Sequence, residues 1–219
     1  MTELLVATTN PGKFAEVRAF LAKLPLKIVL LKNLDNPPTV IEDGATFEVN
    51  ARKKARTLAE FSGLLTLADD SGLEVDALGG APGIFSARYA GEDGDDERNN
   101  QKLLRALENV PEEKRTARFV CALALCAPHA HGMSDWTVRE SCEGRIARAL
   151  SGSNGFGYDP LFFFPPYNKT FGEIERDRKA TVSHRGKALA KLPRRYRRWL
   201  ICAQNLDFVG FACRIASVN

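Results

Sequence analysis

Two adjacent carboxylates, Asp69 and Asp70, close an apolar run at residues 63–68 and are followed at once by Ser71 and Gly72. Neighbouring carboxylates repel each other unless a cation or a shared proton offsets their charge. The stretch therefore reads in one of two ways. It is a divalent-metal and general-base site, or it is an Asp-Ser-Gly turn between two strands.

Three other stretches carry residues suited to chemistry. Thr8, Thr9, Asn10, Pro11, Gly12 and Lys13 stand between an apolar run and an amphipathic pattern. A loop there points backbone N–H groups and a helix N-terminus at one spot, which attracts phosphate, and Lys13 adds a full charge. The Walker A spacing is absent, and an ordinary strand-to-helix turn accounts for the same letters. Residues 152–160 concentrate glycine around Phe156, Gly157, Tyr158 and Asp159. Glycine lets a backbone approach a ligand and an aromatic ring offers a stacking surface, although a long self-packed turn fits as well. The basic stretch 179–189 contains Lys179, His184 and Arg185. Those donors suit a planar base with exocyclic oxygens, whereas Ser183 capping a helix explains the stretch without function.

The elements that would position these groups follow from periodicity. Residues 4–7 read as a buried strand, with a helix after Gly12 whose apolar face is Phe14, Val17, Phe20 or Leu21, and Leu24. A second strand is expected over 27–31. A helix follows from about 46 to 61, with Phe47, Ala51, Ala55, Leu58 and Ala59 inward and Asn50 and Lys54 on one stripe. Glu42 lies in the loop before it and gains interest only if it meets Asp70. Residues 73–78 alternate as a separate strand, and 95–108 form a helix with Leu103, Leu104 and Leu107 inward. Over 117–126, Phe119, Cys121, Leu123 and Leu125 share one strand face, with Val120, Ala122 and Ala124 on the other. Residues 136–142 pair with that strand as a hairpin, 144–147 add an edge strand, and 161–164 form an aromatic strand. His129 and His131, in the hairpin connection, have no further ligands nearby and read as loop residues.

Composition narrows the class. The 219 residues are 44% hydrophobic and 26% charged, as in a globular protein with ample core. No apolar run is long enough to span a membrane, and residues 1–6 lack the basic segment of a signal peptide. Five cysteines without a Cys-x-x-Cys pair argue against a zinc site or a disulfide framework and fit a reducing cytoplasm. The net charge of +4 resides entirely in residues 193–219, which hold five arginines and one acid; the rest is formally neutral. A global field for nucleic acid is not indicated.

Taken together and in order, the motifs are far more specific than any is alone. They are Thr8 to Lys13, Glu42-Asp43-Gly44, Ala68 to Leu73, Gly79 to Gly83, Ser86-Ala87-Arg88-Tyr89, Gly155 to Pro160, and Ser183-His184-Arg185-Gly186. Over residues 1–192 this pattern closely resembles the inosine triphosphate pyrophosphatase family, the dITP/XTP pyrophosphatases that cleanse nucleotide pools.

The resemblance implies an elongated α/β fold, with a central twisted mixed sheet flanked by helices and the active site in a cleft between two lobes. It also implies a homodimer and Mg²⁺-dependent cleavage of deaminated purine triphosphates to monophosphate and pyrophosphate. Asp70 would be the proton acceptor, Glu42 and Asp70 the metal ligands, and Asp69 a supporting carboxylate. Thr8, Thr9, Asn10, Pro11, Gly12 and Lys13 would cradle the triphosphate, with Lys54 a second cation. Ser71 would contact substrate. Phe156, Gly157, Tyr158, Asp159, Lys179, His184 and Arg185 would form the base and sugar pocket. Pro193 departs from the family pattern by interrupting the last helix, and residues 193–219 form a divergent basic tail. The rival readings are a related pyrophosphatase of different base preference, a nucleic-acid module acting through the arginine tail, and an inactive nucleotide-binding relative.

Overall fold

The computed structural model describes residues 2–22, 24–91, 94–128 and 135–193. The hairpin connection with His129 and His131, and the tail from 194 to 219, lie outside the described residues.

Seven strands form one mixed sheet in the order β2-β1-β3-β4-β5-β6-β7. They are β1 (Thr2–Ala7), β2 (Leu26–Leu30), β3 (Leu65–Val75), β4 (Thr116–Cys126), β5 (Trp136–Ile146), β6 (Phe162–Phe164) and β7 (Lys169–Thr170). β1 runs parallel to both β2 and β3, and the remaining pairings are antiparallel. The helices are α1 (Pro11–Leu21), α2 (Phe47–Ser62), α3 (Asp96–Ala106), α4 (Arg176–Val182) and α5 over residues 184–193. The expected mixed sheet flanked by helices is present. Pro193 is the last described residue of α5, so the expected interruption of the helix there falls at the limit of the described residues.

Two sequence expectations give way here. Residues 69–72 are not a turn: they continue β3, paired with β4 from Asp69↔Leu123 to Gly72↔Val120. A run of Asp, Asp, Ser and Gly has low strand propensity, but cross-strand pairing overrides it. Residues 144–146 are likewise no separate edge strand, because they end β5 and pair onward with β6.

The alternation read in β4 is observed. Cys121, Leu123 and Leu125 join the core beneath α1 and α5, with Val17, Leu21 and Leu189. Val120, Ala122 and Ala124 face α2, whose Phe47, Ala51, Ala55, Leu58 and Ala59 fill the opposite core. A third cluster gathers Leu73, Val75, Phe119, Phe162 and Phe171 toward the β6–β7 end. Along β3, Leu67 and Ala68 belong to the first two clusters and Leu73 to the third. The polar residues 69–72 thus occupy the seam between core regions.

Candidate active site

β1 stays paired with β3 only as far as Ala7↔Ala68. Beyond that point β3 loses its parallel neighbour, and Asp69 and Asp70 project where the β1–α1 loop turns away. Crevices at the carboxyl ends of parallel strands commonly hold ligands in such sheets. Successive side chains of a strand point to opposite faces. The two carboxylates therefore enter different surroundings.

Asp69 faces α1 and α5. Its Oδ1 accepts from Lys13 Nζ at 2.8 Å and from Ser71 Oγ at 2.7 Å. Its Oδ2 accepts from Arg185 Nε at 2.8 Å and from the Cys121 thiol at 3.2 Å. Burial opposes ionisation, but the Arg185 and Lys13 charges outweigh it and hold the carboxyl well below the usual range.

Arg185 also gives Nη1 to Glu16 at 2.5 Å and Nη2 to Ser71 Oγ at 2.6 Å. Glu16 binds Lys179 at 2.9 Å, and Lys179 binds Asp159 at 2.6 Å. Asp159 in turn accepts from the Phe156 N–H at 2.9 Å. Five alternating charges thus run from Asp69 to Asp159, and only Glu16 was not singled out in the sequence. Its signal was available: it sits one helical turn after Lys13, on the same side of α1.

Asp70 faces α2. Its Oδ2 is buried without a hydrogen-bond partner. Desolvation pushes the carboxyl up to about 6; Lys13 and Lys54 pull against that shift, and Glu42 adds to it. Glu42 is therefore near enough for its charge to act on Asp70. Lys54 binds Glu42 Oε1 at 2.8 Å, and Arg88 Nη2 donates to the Glu42 carbonyl at 3.3 Å.

Asn10 caps α1, its Oδ1 accepting from the Lys13 N–H at 2.9 Å, and its carbonyl accepts from Phe14 N at 3.0 Å. Pro11 has no N–H to offer. Two first-turn donors are already engaged, so the loop's pull on an anion rests more on Lys13 and the helix dipole than on backbone donors. The Thr8 hydroxyl braces the same loop by accepting from Asn10 N at 3.2 Å, and Thr9 is exposed. Gly12 is a close-approach position: a Cβ there would collide with the Phe156 ring. The Gly157 N–H and C=O bind Asp96 and Asn100 of α3. Tyr158 is buried, with its hydroxyl on the Ser86 carbonyl at 2.8 Å. His184 is buried against Phe119, ring centroids 4.8 Å apart, and its Nδ1 has no partner. Burial and the neighbouring Arg185 charge hold that imidazole neutral.

The donor set fits a hard cation that keeps water and substrate oxygens. The Glu42 charge acts on Asp70 and one buried Asp70 oxygen is unsatisfied, while the described residues contain no group of three or more His, Cys, Asp or Glu able to hold a metal. Mg²⁺ is usually bound by one or two carboxylates plus phosphate oxygens, so the set suits it better than a caged zinc.

A buried carboxylate raised to about 6, with the charges of Lys13 and Lys54 acting on it, is equipment that a nucleotide hydrolase could use, and the comparisons identify the family. Residues 4–195 match the model of the Ham1 family, and the chain belongs to that family. It is 51% identical over 189 residues to a dITP/XTP pyrophosphatase of Desulforamulus reducens, covering 86% of this chain and 92% of that one. It is 53% identical over 193 residues to a dITP/XTP pyrophosphatase of Syntrophobacter fumaroxidans, covering 88% and 81%. The solved structure of a Ham1 protein from Coxiella burnetii superposes with a TM-score of 0.81 at 40% identity, covering 90% of this chain and all of that one.

Proposed function

We propose that this chain hydrolyses deaminated purine nucleoside triphosphates, dITP, ITP and XTP, between the α- and β-phosphates, releasing monophosphate and pyrophosphate. The observation that carries this reading is the unpartnered, buried Asp70 Oδ2 beside Glu42 and Lys54. Its family relatives named dITP/XTP pyrophosphatase support the substrate class.

Asp70 accepts the proton of the attacking water. With its carboxyl raised to about 6, it is a stronger base than an ordinary aspartate yet stays mostly ionised at neutral pH. Glu42 and Asp70 would hold Mg²⁺, which would neutralise phosphate charge and orient the water. Thr8 to Lys13 and Lys54 hold the triphosphate, and Ser71 contacts the substrate. Phe156 to Asp159, Lys179, His184 and Arg185 surround base and sugar. A 6-oxo group would accept from His184 and from the guanidinium hydrogens of Arg185 not given to Asp69, Glu16 and Ser71, whereas the 6-amino group of adenine would leave these unpaired. Asp69 and Glu16 hold the guanidinium in one orientation, so it reads the base from a fixed position. We also propose a cytoplasmic homodimer. The free, buried thiols of Cys121, Cys126 and Cys142 agree with a reducing compartment, and exposed Ile41 and Phe85 offer apolar surface to a second copy.

The test is Mg²⁺-dependent pyrophosphate release from dITP and XTP beside dGTP and dATP. The reading expects turnover of the first two to exceed that of dATP by orders of magnitude. Equal turnover of dITP and dATP would overturn it.

A further inference from the structure

We infer, building on the base pocket proposed above, that Asp96 and Asn100 of α3 are positioning residues. They clamp the two peptide groups of Gly157 and so hold the Phe156 ring where a purine base is read.

Gly157 is the pliable point of its loop. Its φ is +62°, in the left-handed region, and nothing lies within 4 Å of where a Cβ would stand. Glycine has the widest backbone freedom, so its conformation here is set by its partners rather than by sterics. Both partners come from one helix. The Gly157 N–H donates to Asp96 Oδ2 at 2.6 Å, and its carbonyl accepts from Asn100 Nδ2 at 2.9 Å. Positions four apart share a side of a helix, so α3 grips the main chain on both flanks of the residue between Phe156 and Tyr158.

The Phe156 ring lies against Gly12, where an added Cβ would collide with it. The Lys179 ammonium and the Arg185 guanidinium stand 5.2 and 5.6 Å from its centroid. The ring therefore meets both the loop proposed for phosphate and the donors proposed for the base, and any shift at Gly157 moves it relative to them. Asn100 holds its post against a penalty. It is 5% exposed, and because a carbonyl can only accept, its amide nitrogen must face Gly157, which leaves Oδ1 buried without a partner. An unmet buried acceptor opposes folding. An apolar side chain would remove that penalty but release the Gly157 carbonyl. The helix is itself anchored: neighbouring Asn99 accepts from the Ala90 N–H at 2.7 Å and donates to the Ala87 carbonyl at 3.1 Å.

The test compares the full chain with Asp96→Ala, Asp96→Asn, Asn100→Ala and, as a probe of the pocket itself, Phe156→Ala. Amide hydrogen exchange over residues 156–159 is followed together with kcat and KM for dITP and dATP. Loss of one such hydrogen bond predicts faster exchange and a KM for dITP raised about three- to tenfold in Asp96→Ala and Asn100→Ala. Preference for dITP over dATP should fall by a similar factor, while kcat for dITP stays within about threefold because the clamp does not touch Asp70. Asp96→Asn keeps an acceptor for the Gly157 N–H and should recover most of the parent behaviour, whereas a role through charge alone would be lost in both Asp96 variants. Asp96 is exposed, so its two variants decide the matter even where Asn100→Ala does not fold. If Asp96→Ala keeps the parent KM and base preference while Phe156→Ala loses them, or if Asp96→Asn fails as badly as Asp96→Ala, the clamp is overturned. Should Phe156→Ala also leave both unchanged, the base pocket itself is wrong, which is a separate failure.

Discussion

Asp69 and Asp70 are neighbours in sequence and opposites in circumstance. On the Asp69 face, four donors meet one carboxylate and the charges alternate onward through Arg185, Glu16 and Lys179 to Asp159. On the Asp70 face, one oxygen is buried with no hydrogen-bond partner at all. The difference teaches how a strand divides labour. A carboxylate whose acceptor sites are filled cannot take a proton from water or ligate a cation without giving up a bond. One held short of satisfaction by a rigid shell can do either.

The comparison breaks most visibly in turnover. Asp70→Asn removes the proton acceptor, and pyrophosphate release should fall by about a thousandfold or more while dITP binding, measured by calorimetry, is largely kept. Wild-type turnover in that variant would reverse the assignment of the two faces.

Asp69→Asn should act chiefly on stability. It leaves Arg185 and Lys13 buried against a neutral amide, which typically costs about 3–5 kcal/mol, read as a lowered denaturation midpoint at pH 7. Because the Asp69 carboxyl is depressed, its stabilisation is present above the ordinary carboxyl range and lost as pH falls. The gap between variant and parent should therefore close in acid.

Asp70 has the opposite sign. Its raised carboxyl favours the folded state while protonated, and that contribution is lost as pH rises through about 6. In metal-free protein, Asp70→Asn should be more stable than the parent at pH 8, by up to about 3 kcal/mol, with the gain vanishing near pH 4. Thermal melts across that range check both signs together.

Smaller effects sharpen the boundary of the charged network. Glu16→Gln keeps the shape but removes the anion between Lys179 and Arg185, and should lower stability by about 1–3 kcal/mol. Lys27→Ala, which removes an exposed partner of Glu3, should leave the melting temperature unchanged.

Where one period governed, the sequence was readable. The alternation in β4 and the apolar stripe of α2 each have one physical cause, and both appear as expected. The turn, one of the two readings open for Asp69–Gly72, fails because local preference is outweighed by pairing with β4, a partner some fifty residues away. The partners of Lys179 and Arg185 were hidden for the same reason. Both looked like free donors for substrate, but α1 and β3 supply carboxylates to them across more than a hundred residues. Ordered motifs could place these residues in one site, yet not say which of them hold each other.

The continuity of β3 has one further consequence. A one-residue slip of a strand exchanges its two faces. An insertion just ahead of Leu65 that left the sheet otherwise paired would set Asp69 in the place of Asp70 and Asp70 in that of Ser71. Such a protein would keep every motif letter while each aspartate faced the wrong side of the sheet. Alignment is guarded at Gly72, where an added Cβ would collide with Ser86, and at Leu73, whose N–H donates to the Ser86 hydroxyl at 2.8 Å. Ser86 thus acts as the peg that keeps the strand counting correctly.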